Sequence, residues 1–140
     1  MSFGFTTEVA LRYDDLDTYG HVNNVRYGTY LEEARIDYLA EVVAGGDREF
    51  LSTTSDGSGI VIATLEIEFE RPVQAGDSVV VGVRVPRLGT KSFRFEYEVR
   101  DGDAVAATGE TTVVTYDRAA GEPQPIPEDW RDAISQFEGL

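Results

Sequence analysis

Within residues 14–24 stand Asp14, Asp15, Asp17, His21, Asn23 and Asn24, and His21 is the only histidine of the chain. A carboxylate four residues from an imidazole can move a proton to or from water, and a carboxylate alone can attack a carbonyl. The two asparagines immediately precede a helical pattern. Tyr27, Leu31, Ala34, Tyr38 and Val42 recur at steps of three and four, which places one apolar stripe on a long helix. Asn23 or Asn24 suits its N-cap. The first turn of such a helix offers unpaired N–H groups that favour negative charge. A reaction that develops an oxyanion can use them.

Each of these residues also has a plainer reading. Asp14, Asp15 and Asp17 are turn formers in their own right, and on spacing alone turn and capping roles outweigh catalysis. Asn23 and Asn24 are capping residues first. Tyr27 and Tyr30 sit at helical spacing, where phenols pack in a core or line a pocket. A lone histidine in a chain without cysteine supplies few soft ligands, so no metal site is expected.

The elements that must position this cluster follow from periodicity. Residues 6–13 alternate as a strand, and residues 14–20 form a turn-rich connection. The helix runs from about Asn24 to Val43, stopped by Gly45 and Gly46. Residues 47–58 read as loop with one helical turn over 47–51, and residues 52–59 are too polar for a core. Strands follow at 60–70, 78–87, 91–100 and 104–117. Leu65, Ile67 and Phe69 share one face of the first; Val79, Val81, Val83 and Val85 share one face of the second. Phe93, Phe95, Tyr97 and Val99 share one face of the third. The proline-rich stretch 121–127 is extended, and residues 128–137 form a closing helix with Trp130, Ile134 and Phe137 on one side. Short connections predict an antiparallel meander. One-sided strands need an apolar cover, and the helix from Asn24 is the only large one. The pattern is α+β, helix on antiparallel sheet, in one domain over residues 1–140.

Composition bounds the function. The 26 acidic residues against 12 basic ones give a net charge of −14. Such a surface repels nucleic acid and anionic lipid, so neither is an expected partner. The charge serves solubility, or it marks adaptation to a high-salt interior; the scarcity of lysine, Lys91 alone, favours the latter. That reading predicts a melting temperature that rises with KCl. No apolar run is long enough to span a membrane and the N-terminus lacks signal-peptide features, so a cytoplasmic location is expected. No phosphate-binding glycine motif, Gly-x-Ser-x-Gly elbow or cysteine nucleophile is present.

Asp17-Thr-Tyr-Gly-His-Val-Asn-Asn, then Tyr27 and Glu33-Ala34-Arg35, resembles the signature of hot-dog-fold acyl-CoA thioesterases of the 4-hydroxybenzoyl-CoA thioesterase-like family. Glu68-Phe69-Glu70-Arg71-Pro72, Ala75-Gly76-Asp77 and Gly89-Thr90-Lys91-Ser92-Phe93 extend the likeness more loosely over most of the chain. The resemblance implies a hot-dog fold, in which a curved antiparallel five-stranded sheet wraps one long central helix. It implies a fatty or aromatic acyl-CoA as substrate, hydrolysed to free acid and CoA, with no cofactor, and a homodimer or homotetramer with active sites at the subunit boundary. Asp17 matches the family's catalytic acid, Asp15 a structural acid, and the N–H near Asn24 the oxyanion donor. His21 is an active-site residue in the related plant acyl-carrier-protein thioesterases, whereas the 4-hydroxybenzoyl branch has an apolar residue there. A role in orienting the substrate or Asp17 and a role in packing and hydrogen bonding at a dimer contact both stay open. Asn23 and Tyr27 are expected at the substrate. Arg87, Lys91 and Ser92, with Arg94 nearby, are expected at the CoA nucleotide, against the plainer reading of solvated charges at a turn. Two further functions compete: a non-catalytic acyl-CoA sensor, and a dehydratase or hydratase, which pairs Asp and His at a different spacing.

Overall fold

The computed structural model describes residues 3–49, 57–74 and 76–140. Strand β1 (Phe5–Ala10) leads through a single 3₁₀ turn (Tyr13–Asp15) and a second one (Asn24–Arg26) into helix α1 (Tyr27–Val42). Strands β2 (Ser58–Phe69), β3 (Ser78–Arg84), β4 (Ser92–Asp101) and β5 (Ala104–Asp117) follow, then a two-residue strand β6 (Glu122–Pro123) and helix α2 (Glu128–Glu138). All pairings are antiparallel, in the order β1-β3-β4-β5-β2, with β6 on the end of β5.

The expected meander therefore holds only for β3, β4 and β5. Strand β2 lies on the far edge beside β5, because α1 carries the chain across the sheet before β2 begins. Residues 70–74 and 76–77 lie along one end of the sheet. Glu70 and Arg71 N–H groups donate to Ala106 O, and Leu11 N–H donates to Asp77 O.

The inner sheet face is apolar for the reason the alternation gives. Val79, Val81, Val83 and Val85 are buried, as are Phe93, Phe95, Tyr97 and Val99. Burying each such side chain contributes roughly 2 kcal/mol. Helix α1 covers them with Tyr27, Tyr30, Leu31, Ala34, Tyr38 and Leu39. Val42, assigned to the same stripe, is only half-buried. Tyr38 is the centre of an aromatic cluster, edge-on to Phe5, Phe95 and Phe137 with centroids 5.5–5.8 Å away. Its hydroxyl donates to Glu138 Oε2 at 2.5 Å, which also accepts from Val85 N–H at 2.8 Å. Helix α2 is thereby tied to the core, with Trp130 and Ile134 buried beneath it.

Ser58 and Gly59 are buried in β2, paired with Asp117 and Tyr116. Their assignment to a polar surface loop is corrected: a ladder satisfies their backbone, and neither residue is bulky. Residues 52–56 of that loop lie outside the described residues. Of the helical turn expected over 47–51, residues 47–49 form a turn in which Asp47 Oδ1 accepts from Glu49 N–H at 3.0 Å, and the rest lies outside the described residues. A bulge between Ile62 and Thr64 keeps Ile60, Ile62, Leu65, Ile67 and Phe69 all on the inner face.

Candidate active site

Residues 15–23 fold into a small hairpin that the sequence spacing encodes as a turn. Asn23 N–H donates to Asp15 O at 2.8 Å, Leu16 bridges Val22, and Asp17 N–H donates to His21 O at 2.7 Å. Gly20 permits the tip with φ 77°. The segment that follows β2 holds the hairpin from the other side: Val22 N–H donates to Val73 O, and His21 bridges Gln74.

Asp15 is the anchor. It is 4 % exposed. Its Oδ2 accepts from Arg12 N–H at 2.9 Å and from the Tyr30 hydroxyl at 2.8 Å, and Arg26 Nε lies 3.7 Å from Oδ1. Burial, and then the hydrogen bond to Asp15, push the Tyr30 phenol well above its ordinary range, so Tyr30 stays a neutral donor. One carboxylate thus clamps the hairpin base to the first turn of α1. Tyr30 and Arg26 carry this clamp, and neither was singled out for it; a tyrosine just past the caps and a lone cation beside them were the available signals.

Asp17 stands at the hairpin tip and is exposed. Its Oδ1 accepts from Tyr19 N–H at 2.9 Å and His21 N–H at 3.2 Å. No protein donor among the described residues reaches Oδ2. The carboxylate therefore caps its own turn with one oxygen and offers the other to solvent. His21 is half-buried, and its imidazole makes no protein hydrogen bond among the described residues.

Asn23 is the cap. Its Oδ1 accepts from Val25 N–H at 3.0 Å. Asn24 opens the 3₁₀ turn that runs into α1, and its own N–H has no protein acceptor among the described residues. Two residues along each arm separate the Asp15–Asn23 base from the Asp17–His21 tip, a rise of about 7 Å. Tyr27 is buried beside them, edge-on to Phe69 at 5.1 Å. Burial and the charge of Asp101 raise its phenol, so Tyr27 is an apolar wall with a neutral tip.

Arg87, Ser92 and Arg94 line one shallow depression of about 180 Å³ at the β3–β4 turn. Lys91 is exposed beside it; its carbonyl accepts from Thr115 N–H and Oγ1. These residues do not join the hairpin. They stand at the start of β4, whereas Tyr27 meets Phe69, which pairs with Ala107 at the opposite end of the sheet. The length of β4, about 30 Å, separates the two groups. Among the described residues no group of three or more His, Cys, Asp or Glu side chains is arranged to hold a metal ion.

The site is open on one side. Tyr13, Tyr19 and Val25 are more than 80 % exposed around it. The inner face of β2 continues that opening, with Ile62, Leu65 and Phe69 each partly in solvent.

Residues 11–134, which include the hairpin, α1 and the whole sheet beyond β1, match the model of the thioesterase-like superfamily. The chain belongs to that superfamily. A thioesterase of Thermus thermophilus, crystallised with coenzyme A and zinc, superposes with a TM-score of 0.83 at 36 % identity, over 99 % of this chain and 96 % of that one. The long-chain acyl-CoA thioesterase FadM of Escherichia coli is 33 % identical over 61 % of each chain. A 1,4-dihydroxy-2-naphthoyl-CoA hydrolase of Synechococcus elongatus is 27 % identical over 87 % of this chain and 88 % of its own. This superfamily member is a thioester hydrolase with the hot-dog architecture: a curved antiparallel sheet around one helix. Among its described residues no helix is long and apolar enough to cross a membrane.

Proposed function

We propose that this thioesterase hydrolyses an acyl-CoA, with Asp17 as general base or nucleophile and the Asn24 N–H as oxyanion donor. The observation that carries the reading is the hairpin itself. It sets a carboxylate with one uncommitted oxygen beside a helix whose first amide has no protein acceptor among the described residues. A thioester carbonyl between them would be polarised by the amide and the helix end. Asp17 Oδ2 would either attack its carbon, expelling CoA thiolate and leaving a mixed anhydride that water then cleaves to the free acid and the original carboxylate, or take a proton from a water that attacks the same carbon and expels the thiolate. Asn23 keeps the turn in place, Tyr27 forms the wall of the acyl channel, and His21 orients the tip from which Asp17 projects.

A second copy of the chain completes the site. Strand β2 is an unprotected edge with Val61, Ile62, Leu65 and Phe69 in solvent. Pairing two β2 edges about a two-fold axis reverses every strand of the partner. The start of the partner's β4 then comes level with the end of β4 in the first chain. Arg87, Lys91 and Ser92 of one copy are thus directed toward the hairpin of the other, where they would meet the CoA phosphates. A homodimer is the minimum assembly, and a homotetramer is compatible with it.

The test is release of CoA thiol from a panel of acyl-CoA esters by wild type and Asp17→Asn. The asparagine Oδ1 still accepts from the Tyr19 and His21 amides, so the hairpin survives. Turnover is expected to fall by about a hundredfold or more, with the melting temperature unchanged. Wild-type turnover in Asp17→Asn would remove Asp17 from the mechanism.

A further inference from the structure

With 26 acidic residues against 12 basic ones, a cation on this surface finds a carboxylate almost anywhere. Most of the described arginines stand within 4.0 Å of one. Arg87, Lys91 and Arg131 do not: among the described residues no acid comes that close to any of the three. They also stand together. Arg131, on α2, donates from Nη2 to Gly89 O at 2.5 Å, and Arg87 and Lys91 flank that glycine in the β3–β4 turn. Against a net charge of −14, three unpaired cations at one turn make a local positive field.

The backbone of the turn adds to that field. Four successive carbonyls are engaged by the protein: Gly89 O by Arg131, Thr90 O by Ile126 N–H at 2.9 Å, Lys91 O by Thr115 N–H at 2.9 Å, and Ser92 O by Gly89 N–H at 2.8 Å. The N–H groups of Thr90 and Lys91 have no acceptor among the described residues. The turn is also too tight to relax around a side chain at its first corner, since a Cβ on Gly89 would stand 2.7 Å from Ser92 O. Its exposed groups are therefore mostly donors: two amides, the Ser92 hydroxyl, the Lys91 ammonium and two guanidiniums. Such an arrangement suits an anion. Arg87 divides two depressions there. One, of about 180 Å³, is lined by Gly89, Ser92 and Arg94; the other, of about 270 Å³, by Pro86, Leu88, Arg131 and Leu140.

We infer that Arg131 of α2 is a specificity-determining residue for the leaving group: with Arg87 and Lys91 it makes this turn read the nucleotide phosphates of CoA, so that CoA esters are preferred to thioesters of pantetheine alone. This rests on the reading of Asp17 and Asn24 as the thioester site, and it adds α2 to that reading. The bond to Gly89 O uses one guanidinium N–H and fixes the Arg131 side chain in place. The other N–H groups are left for phosphate oxygens, and little rotamer freedom remains to be lost when they bind. The diphosphate and the 3′-phosphate of CoA are separate anions, and Arg87 stands between two depressions that can take them separately. The larger one is apolar at Pro86, Leu88 and Leu140, which suits a base next to its phosphate.

The experiment compares kcat/KM for one acyl group carried on CoA and on pantetheine, which lacks every phosphate. Wild type is expected to favour the CoA ester by more than tenfold. Arg131→Met is expected to cut that ratio by about tenfold, by raising KM for the CoA ester rather than by lowering kcat. Arg131→Lys keeps the charge but loses the planar fork, so it is expected to keep part of the ratio, and it reads the same determinant should Arg131→Met fail to fold. Equal values on both esters in wild type, or a ratio unchanged in every folded variant, overturn the inference and leave the thioester site standing. Equal losses on both esters assign Arg131 to the stability of the turn alone, which also overturns it. Failure to hydrolyse either ester overturns the site reading and the inference together.

Discussion

Asp15 and Asp17 are two residues apart, yet the fold gives them opposite fates. Asp15 is buried and clamped by Tyr30, the Arg12 amide and Arg26; Asp17 projects from the hairpin tip. The arm of the hairpin carries the chain from base to tip between them, so that α1 covers the first and solvent reaches the second. Tyr30→Phe is expected to cost about 2 kcal/mol, because the Asp15 carboxylate keeps its other partners but loses one buried hydrogen bond. Chemical denaturation measures it. The same phenol sets a limit in alkali. Its folded pKa lies above its ordinary 10.0, so the folded chain holds this proton more tightly than the unfolded one. Its contribution is fully present below pH 10 and is lost as pH rises from there through the folded value. Tyr38 is shifted the same way by burial and Glu138. Wild type is expected to lose stability above about pH 10, and Tyr30→Phe to lose it less steeply.

At the scale of elements, α1 can lie close to the sheet only where the sheet lacks side chains. A Cβ on Gly109 would stand 3.0 Å from Leu31 Cδ1 and 3.1 Å from Glu66 O. Gly109→Ala is therefore expected to push the helix off β5 and cost about 1–3 kcal/mol, measured as a fall in thermal midpoint. Strand β2 shows the converse. Leu65, Ile67 and Phe69 alternate as a core strand, yet Leu65 and Phe69 are about half in solvent because α1 covers the middle of the sheet and not this edge.

For the whole molecule, that uncovered edge decides the proposed assembly. Val61→Lys places a charge on the pairing edge, on the face of β2 turned away from the site. The variant is expected to sediment as a smaller species than wild type and to lose most of its turnover, because each hairpin then lacks the partner's Arg87, Lys91 and Ser92. A wild-type chain that sediments as a monomer and is fully active would refute the shared site.

The strand alternation, the cap at Asn23 and the helical stripe were legible in the chain itself, because each depends on neighbours within a few residues. So was the cluster from Asp14 to Asn24, whose hairpin closes over a short local stretch. What lay beyond reach depends on contacts between distant segments. The sheet order, the burial of Asp15 by Tyr30, and the placement of Arg35 beside Tyr97 and Thr111 are set by packing between residues up to 78 positions apart. Arg87, Lys91 and Ser92 could be grouped by sequence but not placed, since which end of the sheet a turn occupies is fixed only when the strands pair. Local spacing determines which chemistry the chain can present; the meeting of α1 with the sheet decides which of those groups face the same space.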